Sequence, residues 1–382
     1  MPFDCRHRQR FGPGACLSGC PAAPPIFDVV RVGRAGDLPP ADPAFIDVAV
    51  LDMHCGWPNL GHGAILQAMQ NALCDLAGPL AEAGIGFRAL SYDVRGGGVV
   101  PEPPGDRHQL YIGTGGPGHL DPRMNDGRSD GSQGVVEDPS WEPRVFALFD
   151  AIRASRSAAL LAVCHTFGVM CRWLGVADAV LRGPAKGGKS AGIVENVLSG
   201  EALAHPWFSA FSKELSDGRR HYVLDSRLYD LVPRAERPAG VAALSHEAAD
   251  ESGSGDQSAA EGGPGGRALT MLEAARDEGG VMPRILGVNH HPEIVNRPRL
   301  LVTLEKEYAR GAVSREWYEE RRAGLTEPVA DERGDGLLHL TSRYTFMGPL
   351  RFHLHTLALR RGRDDLRARI GPAHDSVIGR IS

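Results

Sequence analysis

Three short stretches of this 382-residue chain set reactive or glycine-rich residues directly after an apolar run. LLAV leads into Cys164-His165, ILGV into Asn289-His290-His291-Pro292-Glu293, and YIG into Thr114-Gly115-Gly116-Pro117-Gly118. A cysteine between a buried strand and a helix has two readings, inert core thiol or nucleophile. On a tight strand-to-helix turn the sulfur is lifted out of the sheet, and the helix N-terminus behind it stabilises a thiolate. The backbone N–H of His165 then becomes one donor for a developing oxyanion. His291 and Glu293 are two residues apart, so the imidazole can serve as general base and acid while the carboxylate fixes its tautomer. His290 is the weaker choice for that base, because its side chain points to the opposite strand face. Gly115, Gly116 and Gly118 let backbone amides approach an oxyanion that side chains would keep away. Alone, each cluster is also an ordinary polar loop or turn. Their common place at strand ends is what carries the argument.

The elements that must position these groups follow from the periodicity. Apolar runs FIDVAVLD, FRALSYDV, QLYIG, AALLAV, ALTMLEAARD and PRILGV read as strands. Helical patterns cover AILQAMQNALCDLAGPLAEAG, WEPRVFALFDAIRAS and GVMCRWLGV between them. This alternation predicts an α/β fold, a doubly wound and mostly parallel sheet with helices on both faces. In such sheets ligands bind beyond the carboxyl ends of the strands, where the three clusters lie. RRHYVLDSRLYDLVP (219–233) reads as two strands joined by a turn. Residues 1–44 read as a flexible N-terminal arm, 45–300 as the catalytic-type domain, and 301–382 as a helical C-terminal extension ending in a basic tail. The stretch 250–267 is polar and low in complexity and reads as a disordered insertion.

Composition narrows the function classes. Hydrophobic residues make up 42% and charged residues 23%, with a formal net charge of −5. That balance gives no general attraction to nucleic acid or anionic membranes. No apolar run approaches the roughly 20 residues of a membrane helix, and the basic N-terminus lacks the apolar stretch of a secretory signal. Seven cysteines in this length do not make a disulfide scaffold. Cys5, Cys16 and Cys20 read as incidental thiols, since no second Cys/His pair follows at zinc-finger spacing. A cytoplasmic protein without metal or cofactor is expected. One motif points elsewhere: Gly183–Ser190 satisfies the P-loop pattern, and Asp225 could pass for its metal-binding partner. The following AGIVENVL suits a strand better than the helix a P-loop requires, so the match reads as a solvated turn around Lys186 and Lys189.

With these residues in view, the sequence resembles the class I glutamine amidotransferases, in particular the stand-alone branch similar to the amidotransferase domain of GMP synthase. VLDMHCGWPNLGHGAI (51–65), SYDVRG (91–96), YIGTGGPG (111–118), AVCHTFGVMCRW (162–173), VLDSRLYDLV (223–232), LGVNHHPE (286–293) and the YARGAVSREWYEERR helix carry the resemblance. It implies a flavodoxin-like fold and a Cys164–His291–Glu293 triad, with the Gly116 and His165 amides as oxyanion donors. It also implies glutamine, or a related amide or acyl compound, as substrate. A separate synthetase partner would take the ammonia, since nothing here resembles an ATP-pyrophosphatase domain. An acyltransferase or γ-glutamyl hydrolase on the same triad, or a non-catalytic homologue, are the alternatives. The chain departs from the family pattern at Thr166, where Gly is usual, at Gly168, where Gln is frequent, and at Asn289-His290, which replace Gln-Phe.

Overall fold

The computed structural model describes residues 27–56, 59–182, 189–248, 267–295, 297–309, 311, 313–327 and 336–361. Runs rich in Val, Ile, Leu and Ala form the strands, and the central ones are buried on both faces. They are β1 (Phe27–Val32), β2 (Phe45–Asp52), β3 (Gly86–Asp93), β4 (Leu110–Gly113), β5 (Ala159–Val163), β6 (Ala177–Leu181) and β7 (Ser190–Leu198). Then come β8 (Arg220–Arg227), β9 (Tyr229–Pro233), β10 (Ala242–Glu247), β11 (Leu269–Arg276) and β12 (Pro283–Val288). Ten of them make one sheet in the order β1-β3-β2-β4-β5-β12-β11-β10-β7-β8, and β6 pairs with β9 separately. From β1 to β12 all neighbours are parallel; from β12 outward they are antiparallel. The fold is thus α/β and flavodoxin-like, with a mixed, mostly parallel sheet.

Helices cover both faces. They are α1 (Leu60–Ala72), α2 (Ala77–Ala83), α3 (Trp141–Ala154), α4 (His165–Leu174), α5 (Gly200–Ala204), α6 (Pro206–Glu214), α7 (Arg297–Ala309), α8 (Arg315–Thr326), α9 (Gly336–Ser342) and α10 (Gly348–Arg361). Their starts follow local chemistry. The Asn59 side chain accepts from the His62 amide at the head of α1, and Ser314 accepts from Trp317 at the head of α8. The strand side chains alternate between two cores. Val48, Val50, Leu161 and Val163 pack with residues of α1, α6 and α10, while Ala49, Leu51, Leu160 and Ala162 pack with residues of α3 and α4.

Two features differ from the sequence expectations. Phe27–Val32, read as part of a flexible arm, instead form an edge strand paired with β3. Their apolar alternation is only six residues long, too short to stand out beside a Gly/Pro-rich segment. The C-terminal region is helical as expected, yet α10 is no appendage. Leu350 and Leu354 are fully buried in the core that contains β2. Cys5, Cys16 and Cys20, the rest of the arm up to residue 26, the tail beyond 361 and nearly all of the 250–267 insertion lie outside the described residues.

Candidate active site

β2 lies between β3 and β4, so the chain winds to opposite sides of β2 and leaves a crevice at the carboxyl ends of β2 and β4. The ends of β5 and β12 adjoin it. All three sequence clusters therefore lie at the carboxyl ends of adjacent parallel strands.

Cys164 is the residue between β5 and α4, with φ 49° and ψ −103°. Holding an L-residue at positive φ costs about 1–3 kcal/mol, and the surrounding structure must enforce it. Here the Cys164 amide donates to the Val288 carbonyl (2.8 Å), and its own carbonyl accepts from Gly168 (3.0 Å) to begin α4. His165 is the first residue of that helix, so its N–H has no intrahelical partner. Thr166 departs from the expected Gly without spoiling the turn. Its Oγ1 donates to the Thr114 carbonyl at 2.7 Å, tying the elbow to the β4 loop.

The His291 amide donates to the Leu224 carbonyl (2.8 Å), which anchors the loop after β12 to β8. His291 Nδ1 lies 2.9 Å from Glu293 Oε1, and the ring and the Cys164 side chain face the same glycine, Gly115. Burial opposes a charge on this ring, but the Glu293 carboxylate and the Cys164 sulfur outweigh it and raise the His291 pKa to about 10. The Glu293 side chain is fully buried against the start of α1. A Cβ on Gly61 would come within 3.1 Å of Glu293 Oε1. His290 is buried on the other face, 3.3 Å from Thr345 Oγ1, and burial holds it well below the usual imidazole range.

The glycine-rich loop packs over both groups. A Cβ on Gly115 would stand 3.0 Å from His291 Cε1 and 3.7 Å from Cys164 Sγ. On Gly116 it would collide with the Met53 carbonyl oxygen, at 2.1 Å. Gly118 has φ +82° and donates its amide to Gln133 Oε1 (3.0 Å), so that amide is already engaged in holding the loop. The His165 ring is kept neutral by burial.

Several residues of the site were not singled out in the sequence. Arg95 Nη1 donates to the Met53 carbonyl (2.9 Å) and the Pro117 carbonyl (2.7 Å), clamping two strand ends together. Its other nitrogens donate to Glu137 at 2.8 and 2.6 Å, and both side chains are fully buried. His54 Nδ1 lies among Asp52 Oδ1 (3.1 Å), Asn59 Nδ2 (2.6 Å) and Thr114 Oγ1 (3.1 Å). Burial, against the pull of Asp52, pushes its pKa down. Arg95 and His54 fall within the family-like motifs, but nothing in their spacing distinguishes them from surface polar residues.

Cys164, His291, Gly116 and His165 line a cavity of about 630 Å³ roofed by α8. Lys189 lines it too, but Ser190 begins strand β7. No helix N-terminus follows to hold phosphates, and residues 183–188 of the P-loop-like match lie outside the described residues. Among the described residues no group of three or more His, Cys, Asp or Glu is placed to hold a metal ion, and no helix is long and apolar enough to cross a membrane.

No family model and no curated protein matches the chain. Solved structures do. A glutamine amidotransferase from Thermotoga maritima is 14% identical, covering 83% of this chain and 98% of its own, with a TM-score of 0.41. A glutamine amidotransferase from Methylobacillus flagellatus is 13% identical, covering 84% and 96%, with a TM-score of 0.40. A candidate GMP synthase component from Thermoplasma acidophilum is 11% identical, covering 65% and 85%, with a TM-score of 0.35.

Proposed function

We propose that the protein hydrolyses the side-chain amide of glutamine, or of a closely related γ-glutamyl compound, through a cysteine thioester. The observation that carries this reading is the line of contacts from the Cys164 sulfur to the His291 ring to Glu293 Oε1, beside a glycine loop. A sulfur beside an imidazole that is itself oriented by a buried carboxylate is the constellation of an activated nucleophile.

In this scheme the Cys164 thiolate attacks the amide carbon, and a C–S bond forms as the carbonyl electrons move to oxygen. The Gly116 and His165 amides stabilise the oxyanion. His291, protonated, gives its proton to the amide nitrogen as the C–N bond breaks, and ammonia leaves. Water then loses a proton to His291 and attacks the thioester. Collapse expels the sulfur and releases glutamate. Glu293 keeps the imidazole in one tautomer and supports its charge. Ammonia passes to a separate acceptor enzyme, and the reaction belongs in the reducing cytoplasm, where the thiolate survives.

Purified protein supplied with glutamine should release ammonia and glutamate in equal amounts, and Cys164→Ala should reduce the rate by about 10³-fold or more. Unchanged turnover in Cys164→Ala rejects the mechanism. A second reading, hydrolysis of larger γ-glutamyl amides or acyl transfer, is favoured by Gly168. The space beside it is filled by Leu120, a cavity-lining residue whose Cδ atoms would lie 2.5 Å from a Cβ there. A scan of N-substituted γ-glutamyl amides and thioesters separates the two.

A further inference from the structure

The roof of the cavity brings together three charged side chains that the mechanism does not use. Lys189, just ahead of β7, pairs its Nζ with Glu320 of α8. Arg321, the next residue of that helix, donates from Nη1 to Glu320 Oε1 (2.7 Å) and to Ser226 Oγ (3.1 Å). Its guanidinium lies 5.4 Å from the centre of the Trp317 ring, which holds the planar group against the helix. All four of Lys189, Trp317, Glu320 and Arg321 line the cavity that contains Cys164 and His291.

The charge count in this cluster is unbalanced. Two cations share one carboxylate, and both are largely withdrawn from solvent, with 23% and 29% of their side chains exposed. The other nearby cation, Arg227, is ion-paired with three carboxylates, Asp225 (2.5 Å), Asp230 (3.2 Å) and Glu247 (2.7 Å). Glu316 of the same helix is exposed at the rim. Burial and the charge of Arg321 disfavour the Lys189 ammonium, while Glu320 and the Cys164 sulfur favour it, which also brings Lys189 within electrostatic range of the reacting centre. An anion entering the cavity would meet two donors whose present partner is one shared carboxylate. A charge-assisted pair with a planar guanidinium fits a carboxylate in particular.

We propose that Lys189 and Arg321 bind a free carboxylate at the end of the substrate remote from the scissile carbonyl, and that Glu320, released from part of its pairing, takes the neighbouring ammonium. The recognised class is then a zwitterionic amino acid carrying a side-chain amide or acyl group, held by α8 and the start of β7. This rests on the amide-hydrolase reading of Cys164. It also accounts for the filled space at Gly168, since recognition has moved from α4 to the roof.

The test compares rates of Cys164 modification, which need no turnover. The probes are an amino acid bearing a γ-diazoketone that mimics glutamine, the same reagent with its α-carboxylate converted to a carboxamide, and iodoacetamide as a small neutral alkylator. The wild type should react with the carboxylate reagent about ten to a hundred times faster than with the carboxamide, the range of one or two hydrogen bonds to a charged group. In Lys189→Met/Arg321→Met that ratio should fall to about three or less. Taking the ratio within one protein removes any general effect of the substitutions on folding. A wild-type ratio near one, or a ratio that the double variant leaves unchanged, overturns the proposal. If the ratio is near one while iodoacetamide still modifies Cys164 in a His291-dependent manner, the hydrolase reading survives without the carboxylate site. If none of the three reagents modifies Cys164, both fall.

Discussion

Thr166 and Gly113 interlock. A Cβ on Gly113 would lie 2.2 Å from Thr166 Cγ2, so the last residue of β4 is bare where the turn after Cys164 carries a branched side chain. Thr166 occupies this space and also bonds to the Thr114 carbonyl, so the turn and the glycine loop are tied together.

Gly113→Ala should therefore be costly. Overpacking of this kind destabilises by about 1–3 kcal/mol, and urea unfolding should show it together with a loss of ammonia release. Adding Thr166→Gly should recover most of that stability, because the colliding atoms are those of the threonine side chain. A double variant no more stable than Gly113→Ala alone would show that the clash is not with Thr166.

Arg95 and Glu137 form a buried pair that holds the loop carbonyls of Met53 and Pro117. Removing one partner strands the other charge, at a typical cost of about 3–5 kcal/mol. Arg95→Met should destabilise by an amount in that range in denaturant melts, and Arg95→Met/Glu137→Met by less than the sum of the single changes. Additive losses would mean the two groups act independently.

Gly61 sits on α1 beside the Glu293 carboxylate. Gly61 is the second residue of α1, where the propensity gain of Gly61→Ala is below the ~1 kcal/mol of a helix interior, so the melting temperature should change little. The new methyl presses on Glu293 Oε1, and kcat should fall several-fold with KM little changed. Steady-state kinetics with glutamine check this, and an unaltered kcat would show that the carboxylate gives way without consequence.

His291 links charge to stability. Its pKa is raised in the fold, to about 10, above the 6.5 of a free imidazole. The folded state therefore binds the proton more tightly than the unfolded chain. The stabilisation is complete below pH 6.5 and is lost as the pH rises from there toward 10. Glu293→Gln removes the carboxylate that holds the proton, so its melting temperature should fall less steeply across that window than that of the wild type. Parallel slopes in the two proteins would place the source of any pH dependence elsewhere.

Much of the site was legible because its signals are local. An apolar run of a few residues announces a strand, and Cys164, the Gly115–Gly118 loop and His291 each follow one closely. The turn from β5 into α4 and the opposite orientations of His290 and His291 depend on neighbours in the chain, so short-range patterning reveals them. The strand at Ser190, where a P-loop needs a helix, was readable for the same reason.

What required the tertiary structure was every relationship between distant segments. The Arg95–Glu137 clamp spans 42 residues and the Lys189–Glu320 pair 131, and neither has a periodicity to betray it. Strand order decides such contacts, and it arises from the competition among all possible pairings and from the packing of both cores. The same competition drew Phe27–Val32 into the sheet and α10 into its core. Residue types and their places at strand ends were determined by the sequence alone. The neighbours of each end, and which charges face the cavity, were decided only when the sheet closed around them.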